Sequence, residues 1–385
     1  MHIPIPFVLI LLLLPLARAS AFAALPAQAR QSTLSCRRAL PLCLSNLDAG
    51  QPCATLPTPE RLRVPALAPG TYNLTNIRPG VYVYDDGTYL TLILFRASRL
   101  ALVDFPDSPG SNLPNASQTL LTTATEEVLA GRMPSRVDMI YSHAHFDHIG
   151  AATRFAAYAR AAFPDAPLRI WGSRATRDAI ARSTSGRAPP PTNILGPDAR
   201  TFAFGDDLAV DLRLLKAHTD SDLLVHIAPR GDLPGVAMLV DVVFPGWSPF
   251  SLFAIANDVR NYIEVHRELL KFDFEVFVGG HPKLGARRDV HRNLRFVTDV
   301  IDAAAQSSRE ITPEALGEAG IGRQFDPSAV EFGNIWYGFL GVFRKLEVAG
   351  CYRRILEKWG CKLAGLEFTL ESHCFVAVSF NLLDV

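Results

Sequence analysis

The 385-residue sequence predicts a layered α/β domain with helices packed outside two sheets. Three observations carry this. Apolar runs of strand length alternate with spans of helical spacing between Gly80 and Ala305, in both halves of that stretch. Apolar residues make up 49% of the chain, enough for a sizeable core. The residues best suited to chemistry fall just after strand-like runs, where the rim of a layered sheet gathers side chains from distant parts of a chain.

The N-terminal stretch stands apart from that pattern. Phe7 to Leu14 is an almost unbroken apolar run, ended by Pro15 and followed by the small residues Ala17, Ala19, Ser20, Ala21 and Ala23. Residues 1–23 read as a secretory signal peptide, although no Lys or Arg precedes the run. The run is short for a bilayer span, so an uncleaved anchor is the second reading. Secretion implies an oxidising compartment, where the six cysteines (Cys36, Cys43, Cys53, Cys351, Cys361, Cys374) are expected in disulfides. Their pairing is not readable, but at least one bridge should tie down the N-terminal arm or the C-terminal tail. Asn73-Leu74-Thr75 and Asn115-Ala116-Ser117 match the glycosylation acceptor pattern. Residues 24–79, rich in Pro and Ala without a sustained period, read as an irregular arm. With 38 basic and 38 acidic residues, nothing favours nucleic acid or an anionic membrane surface as partner.

From Gly80 the order of elements is legible. Val81–Tyr84, an Asp85-Asp86-Gly87 turn and Tyr89–Phe95 read as a hairpin. Leu100–Val103 is a strand closing on Asp104, which either serves a site or caps a turn. Thr119–Leu129 has helical spacing, with Thr122 or Thr123 as caps and Gly131 as a stop. Strands follow at Val137–Tyr141, Leu168–Trp171, Leu208–Leu215, Leu223–Ala228, Val236–Val243 and Val276–Val278. Helices are predicted over Ala151–Phe163, Arg174–Arg182, Glu264–Leu270 and Asp289–Ala305, and Pro189–Pro191 marks a stiff loop. Two short helices, Trp336–Leu346 and Gly350–Leu363, precede a tail held back by its cysteines. The domains expected are an arm over 24–79, a catalytic domain over 80–300 and a helical extension over 301–385.

The densest chemistry lies in Ser142-His143-Ala144-His145-Phe146-Asp147-His148-Ile149-Gly150. Three imidazoles and a carboxylate within six residues suit a metal, since imidazole is the commonest protein ligand and carboxylate a natural partner. The spacing fits a loop wrapping a metal pair better than a helix face. His218, Asp241 and His281 each follow a predicted strand. Asp220 and Asp222 are candidates for orienting His218. The other histidines, His2, His226, His266, His291 and His373, read as structural. The competing reading of the motif is an exposed histidine-rich loop, and that of Asp241 a turn carboxylate.

With His143-Ala144-His145-Phe146-Asp147-His148 and then His218, Asp241 and His281 in order, the chain resembles the metallo-β-lactamase fold superfamily over roughly residues 80 to 290. The resemblance implies a four-layer αββα sandwich. It implies one metal on His143, His145 and His218, a second on Asp147, His148 and His281, and Asp241 between them. It implies two zinc ions per chain, with another divalent metal as the alternative, and a hydroxide between them that attacks substrate. In broad secreted β-lactamases the position matching Asp241 is usually a cysteine; the aspartate is similar to lactonase, glyoxalase-type and phosphodiesterase branches.

No Gly-x-Ser-x-Gly elbow is present, so hydrolysis by the metals is the expected reaction, with Asp147 passing a proton to or from the leaving group if it binds metal weakly. The apolar stretch Val243-Phe244-Pro245-Gly246-Trp247-Ser248-Pro249-Phe250 reads as a pocket wall or a core-packed loop. No Lys/Arg cluster adjoins the ligands in sequence, which disfavours polyphosphates and nucleic acids. The expectation is a secreted lactonase or esterase for a small molecule, free of the membrane once the signal is removed. A β-lactamase-like amidase and a non-catalytic zinc-binding protein are the alternatives.

Overall fold

The computed structural model describes residues 36–53, 55–64, 66–107, 116–321 and 335–383. The signal-peptide reading and the Asn115 acceptor lie outside the described residues.

A seven-stranded sheet runs in the order β1 (Asn73–Arg78), β2 (Val81–Asp85), β3 (Leu90–Arg96), β4 (Arg99–Val103), β5 (Arg136–Ile140), β6 (Leu168–Ser173), β7 (Asn193–Leu195). A five-stranded sheet holds β8 (Arg200–Ala203), β9 (Ala209–Leu214), β10 (Leu223–Ile227), β11 (Val236–Met238) and β12 (Val276–Val278), in the order β12-β11-β10-β9-β8. Side chains of period two explain how these strands stack. Leu92, Leu94, Ala101, Val103 and Ile140 face Val225, Ile227, Val236 and Met238 across a shared inter-sheet core. Their neighbours Ile93, Phe95, Leu100, Leu102, Val137 and Met139 face the other way, under α2 (Ala116–Leu129) and α4 (Ala152–Ala162). On the far sheet, Leu224, Ala237 and Leu239 face outward against α7 (Val259–Leu269) and α8 (Arg287–Glu310). Strands buried on both faces read as continuous apolar runs, and the layers are the expected α–β–β–α.

Several local expectations change. Cys36–Asp48 is a helix, α1, within the arm read as irregular, and β1 begins at Asn73. Its partners lie at the opposite end of the chain: Cys36 is bridged to Cys361, Leu56 N–H donates to Glu367 (3.0 Å) and Arg61 to the Cys361 carbonyl (2.9 Å). The remaining bridges are Cys43–Cys53 and Cys351–Cys374. Thr123 lies inside α2 and donates to the Thr119 carbonyl (2.9 Å), so the cap reading fails because the helix starts earlier. Past α8 and the short α9 (Pro313–Glu318), the two short C-terminal helices are one long helix, Ile335–Trp359. A last helix, Leu366–Leu383, takes up most of the tail. Both pack on α8 and bury Ile355, Leu356, Leu370, Ala377 and Val378 in the outer core.

Candidate metal centre

Every ligand candidate sits beyond the C-terminal end of a strand. β4 and β5 run parallel, so Asp104 and the His143–His148 segment leave the same edge of the first sheet. β9 and β11 are both antiparallel to β10, and β11 is parallel to β12. His218, Asp241 and His281 therefore leave a common edge of the second sheet.

The sequence then forces local detail. His145 caps a single helical turn, α3 (Phe146–Ile149), where a loop was expected. Successive residues diverge on a turn, so His148 points inward while Asp147 keeps 36% of its side chain exposed. Gly280 has φ +82°, and a Cβ there would stand 2.6 Å from Val240 Cγ1 and 3.2 Å from His148 Cε1. Asp104 (φ 72°) and Asp241 (φ 61°) hold left-handed backbone without being glycine. Such positions cost on the order of 1–3 kcal/mol each and persist where the surroundings over-determine them.

Seven side chains meet at this edge in two groups that share Asp241. One is His143, His145, His218 and Asp241; the other is Asp147, His148, Asp241 and His281. Within each group the ligand atoms lie within 4.8 Å of one another. His218 Nε2 and His145 Nδ1 are 2.9 Å apart, and His281 Nε2 and His148 Nε2 are 3.2 Å apart. Asp241 Oδ2 stands 3.7 Å from His143 Nε2, 3.1 Å from His148 Nε2 and 3.6 Å from His218 Nε2.

The donor set fits divalent cations. Buried polar atoms normally find a partner, yet His143 Nε2 and Asp241 Oδ1 are buried here without a hydrogen bond. On three of the rings the opposite nitrogen faces a group outside the ligand set, which fixes ring orientation, while His218 Nδ1 is buried without a hydrogen bond. His281 Nδ1 donates to the Thr88 carbonyl (2.7 Å), and His143 Nδ1 lies 2.9 Å from Ser142 Oγ. His148 Nδ1 lies 3.6 Å from Asp104 Oδ2, while Asp104 Oδ1 accepts from Ser142 N–H (2.8 Å). Burial pushes His143, His145 and His281 below the usual histidine value and His218 to about 4, keeping lone pairs free for a metal. Burial alone would lower His148 too, but Asp241 and Asp104 outweigh it and hold it well above. Burial alone would raise Asp241; His148, His281 and His143 instead hold it well below the carboxylate range.

No protein-family model and no curated protein matches the chain. Among solved structures, a metallo-β-lactamase from Pontibacter korlensis is 16% identical, with 58% of this chain and 98% of that one covered and a TM-score of 0.43. The FIM-1 metallo-β-lactamase from Pseudomonas aeruginosa in its mono-zinc form is 15% identical over 58% and 94%, at 0.43. A double mutant of the sec-alkyl sulfatase PisA1 is 14% identical and reaches 0.51, covering 84% of this chain and 54% of that one. With its two-sheet sandwich and the likeness to the sulfatase, the chain has the metallo-β-lactamase fold.

In this metallo-β-lactamase fold all seven expected ligand candidates come together. Asp222 lies near as expected, but it acts on the loop: it accepts from Ala217 N–H (3.0 Å), Thr219 N–H (3.0 Å) and the Thr219 hydroxyl (2.6 Å), shaping the backbone around His218. His226, His266 and His373 are bonded to the protein, as read for structural histidines. Phe244 stacks parallel to His281 at 6.2 Å and Phe250 stands edge-on to His218 at 6.3 Å, so the apolar stretch borders the site.

Other neighbours were not legible. Tyr89 packs on His281 at 4.5 Å and on His148 at 5.4 Å; its Asp-Gly turn marked the hairpin but not its aim. Arg187 lies over Phe146 at 4.3 Å and pairs with Asp107 (3.4 Å), whose second partner is Arg154 (2.6 Å). The absence of a basic cluster in sequence near the motif thus does not carry over to space, because α4 carries Arg154 and the loop before β7 brings Arg187 back to it.

Proposed function

We propose that the protein is a secreted metal-dependent hydrolase that cleaves an ester or lactone bond in a small molecule. The supporting observation is the pair of ligand groups joined at Asp241, with His143 Nε2 and Asp241 Oδ1 buried without a hydrogen bond. His143, His145, His218 and Asp241 would hold one cation, and Asp147, His148, Asp241 and His281 the other, with zinc suited to such imidazole and carboxylate donors. Bound there, the ions would acidify water to supply a nucleophile at neutral pH and polarise the oxygen of the attacked bond.

The chain's own groups do the rest. Asp104, Ser142 and the Thr88 carbonyl hold His148, His143 and His281 in register. Asp147, with 36% of its side chain exposed and Oδ2 3.4 Å from His148 Nε2, would carry a proton to the leaving group. Phe244 and Phe250 exclude water on one side and favour an apolar acyl group. Three disulfides accord with an extracellular setting, and among the described residues no helix is long and apolar enough to cross a membrane.

The test is metal content by mass spectrometry on wild type and His143→Ala, followed by hydrolysis of a panel of lactones, carboxylic esters, β-lactams and alkyl sulfates with Asp147→Ala as control. The expected result is about two zinc per chain, fewer in the variant, and turnover of a lactone or ester that Asp147→Ala loses. Turnover of β-lactams alone would replace the substrate class. A protein that neither retains nor takes up metal would refute the hydrolase reading.

A further inference from the structure

The segment after Asp241 contains a rare backbone. Leu252, Phe253, Ala254 and Ile255 have φ of 59°, 52°, 58° and 55°, four consecutive non-glycine residues in left-handed conformation. L-residues visit this region singly and do not sustain it unaided. The turn leaves Leu252 39% and Ile255 53% exposed while Phe253 and Ala254 are buried.

It is held from the last helix, more than a hundred residues away. His373 is buried, accepts at Nδ1 from Phe253 N–H (3.0 Å) and donates at Nε2 to the Pro249 carbonyl (3.0 Å). One imidazole so spans the turn from its entry to its middle. Its ring stacks on Phe253 at 4.9 Å with an 8° tilt. Ser372 Oγ accepts from Leu252 N–H (2.9 Å). The Cys351–Cys374 bridge fastens this part of the helix to the helix Ile335–Trp359.

The other side of the turn closes on His218. Asn257 N–H donates to the His218 carbonyl (3.2 Å). Phe250, which precedes the turn, stands edge-on to the same ring.

We propose that His373 is a positioning residue for the metal centre: with Ser372 it clamps the left-handed turn 252–255, and the turn in turn orients His218. This rests on the reading of His218 as a metal ligand. It gives the C-terminal helices a part in the site, and it makes the cation bound by His143, His145 and His218 the one that responds to them. Asn can keep the acceptor that Phe253 N–H needs, whereas Ala cannot.

The test uses the full secreted chain, stripped and reloaded with Co2+ or Zn2+. Stepwise affinities are measured against a chromophoric chelator, and the cobalt absorption spectrum is recorded. The variants are His373→Ala, His373→Asn, Ser372→Ala and Leu370→Ala, the last being a buried neighbour on the same helix that only packs. The expected result for His373→Ala is one of the two ions bound about tenfold to a hundredfold more weakly, with an altered cobalt spectrum, the loss usual when a ligand's support is removed. His373→Asn should restore most of it, and Ser372→Ala should weaken the same ion about threefold, a fraction of the loss at His373 because one cap of two remains. Leu370→Ala should lower Tm and leave both affinities. Wild-type affinity in His373→Ala, or an equal loss in Leu370→Ala, would overturn the proposal. Should His373→Ala fail to fold, unchanged metal affinities and a wild-type cobalt spectrum in Ser372→Ala would overturn it. Failure of the wild type to bind any metal would refute the hydrolase reading instead, so the two are told apart.

Discussion

Acid should destabilise the metal-free protein through two buried histidines that are not ligands. His266 donates at Nδ1 to the Tyr262 carbonyl (2.6 Å) and accepts at Nε2 from Asn293 (2.8 Å), so a second ring proton would meet an N–H donor. His373 is filled in the same way by Phe253 N–H and the Pro249 carbonyl. Burial pushes each ring from 6.5 to about 4. Between those values the unfolded chain binds a proton on each ring that the folded chain does not. Stability is therefore complete above pH 6.5 and is lost as the pH falls towards 4. The gap is worth about 3 kcal/mol per ring, at about 1.4 kcal/mol per pH unit. Urea unfolding of chelator-stripped wild type and His266→Gln across this window isolates one ring. The wild-type curve should fall more steeply, by about 1.4 kcal/mol per pH unit. Parallel curves would refute the reasoning, since they would mean that His266 titrates alike in both states.

The remaining predictions concern the site and its supports. Asp104→Ala removes the carboxylate behind His148 and should weaken binding of one metal about tenfold to a hundredfold in chelator competition. Gly280→Ala sets a Cβ against Val240 and His148 at a positive φ; it should lower Tm and reduce metal retention, and a fully loaded, equally stable variant would contradict the packing described. Asp138, buried between Arg99 (2.8 Å), Arg136 (2.7 Å) and the Trp171 indole (2.7 Å), anchors the far end of the sheets. Asp138→Ala should cost about 3–5 kcal/mol by urea denaturation while leaving metal affinity unchanged.

What the sequence determined by itself was whatever repeats or clusters along the chain. Leu92–Leu94 and Leu100–Val103 are buried on both faces, so their apolar runs declared strands and hence layers. His143 to His148 lie within six residues, so their chemistry was visible without a fold. His218, Asp241 and His281 were legible because a strand-like run precedes each. Tertiary structure alone decided the rest. Cys36 chose Cys361 only when α1 met the C-terminal helices, because pairing depends on distance in space. Asp104 read either as a site carboxylate or as a turn cap until β4 and β5 set it behind His148. His373 read as a structural histidine, and its bonds are indeed structural. What the sequence could not disclose was that they hold a left-handed turn against His218, because no periodicity marks residues 252–255 and the acceptors that stabilise them lie on a helix that begins at Leu366. Local pattern records which face a residue buries; the partner it meets there is set by long-range packing, which short-range propensity does not encode.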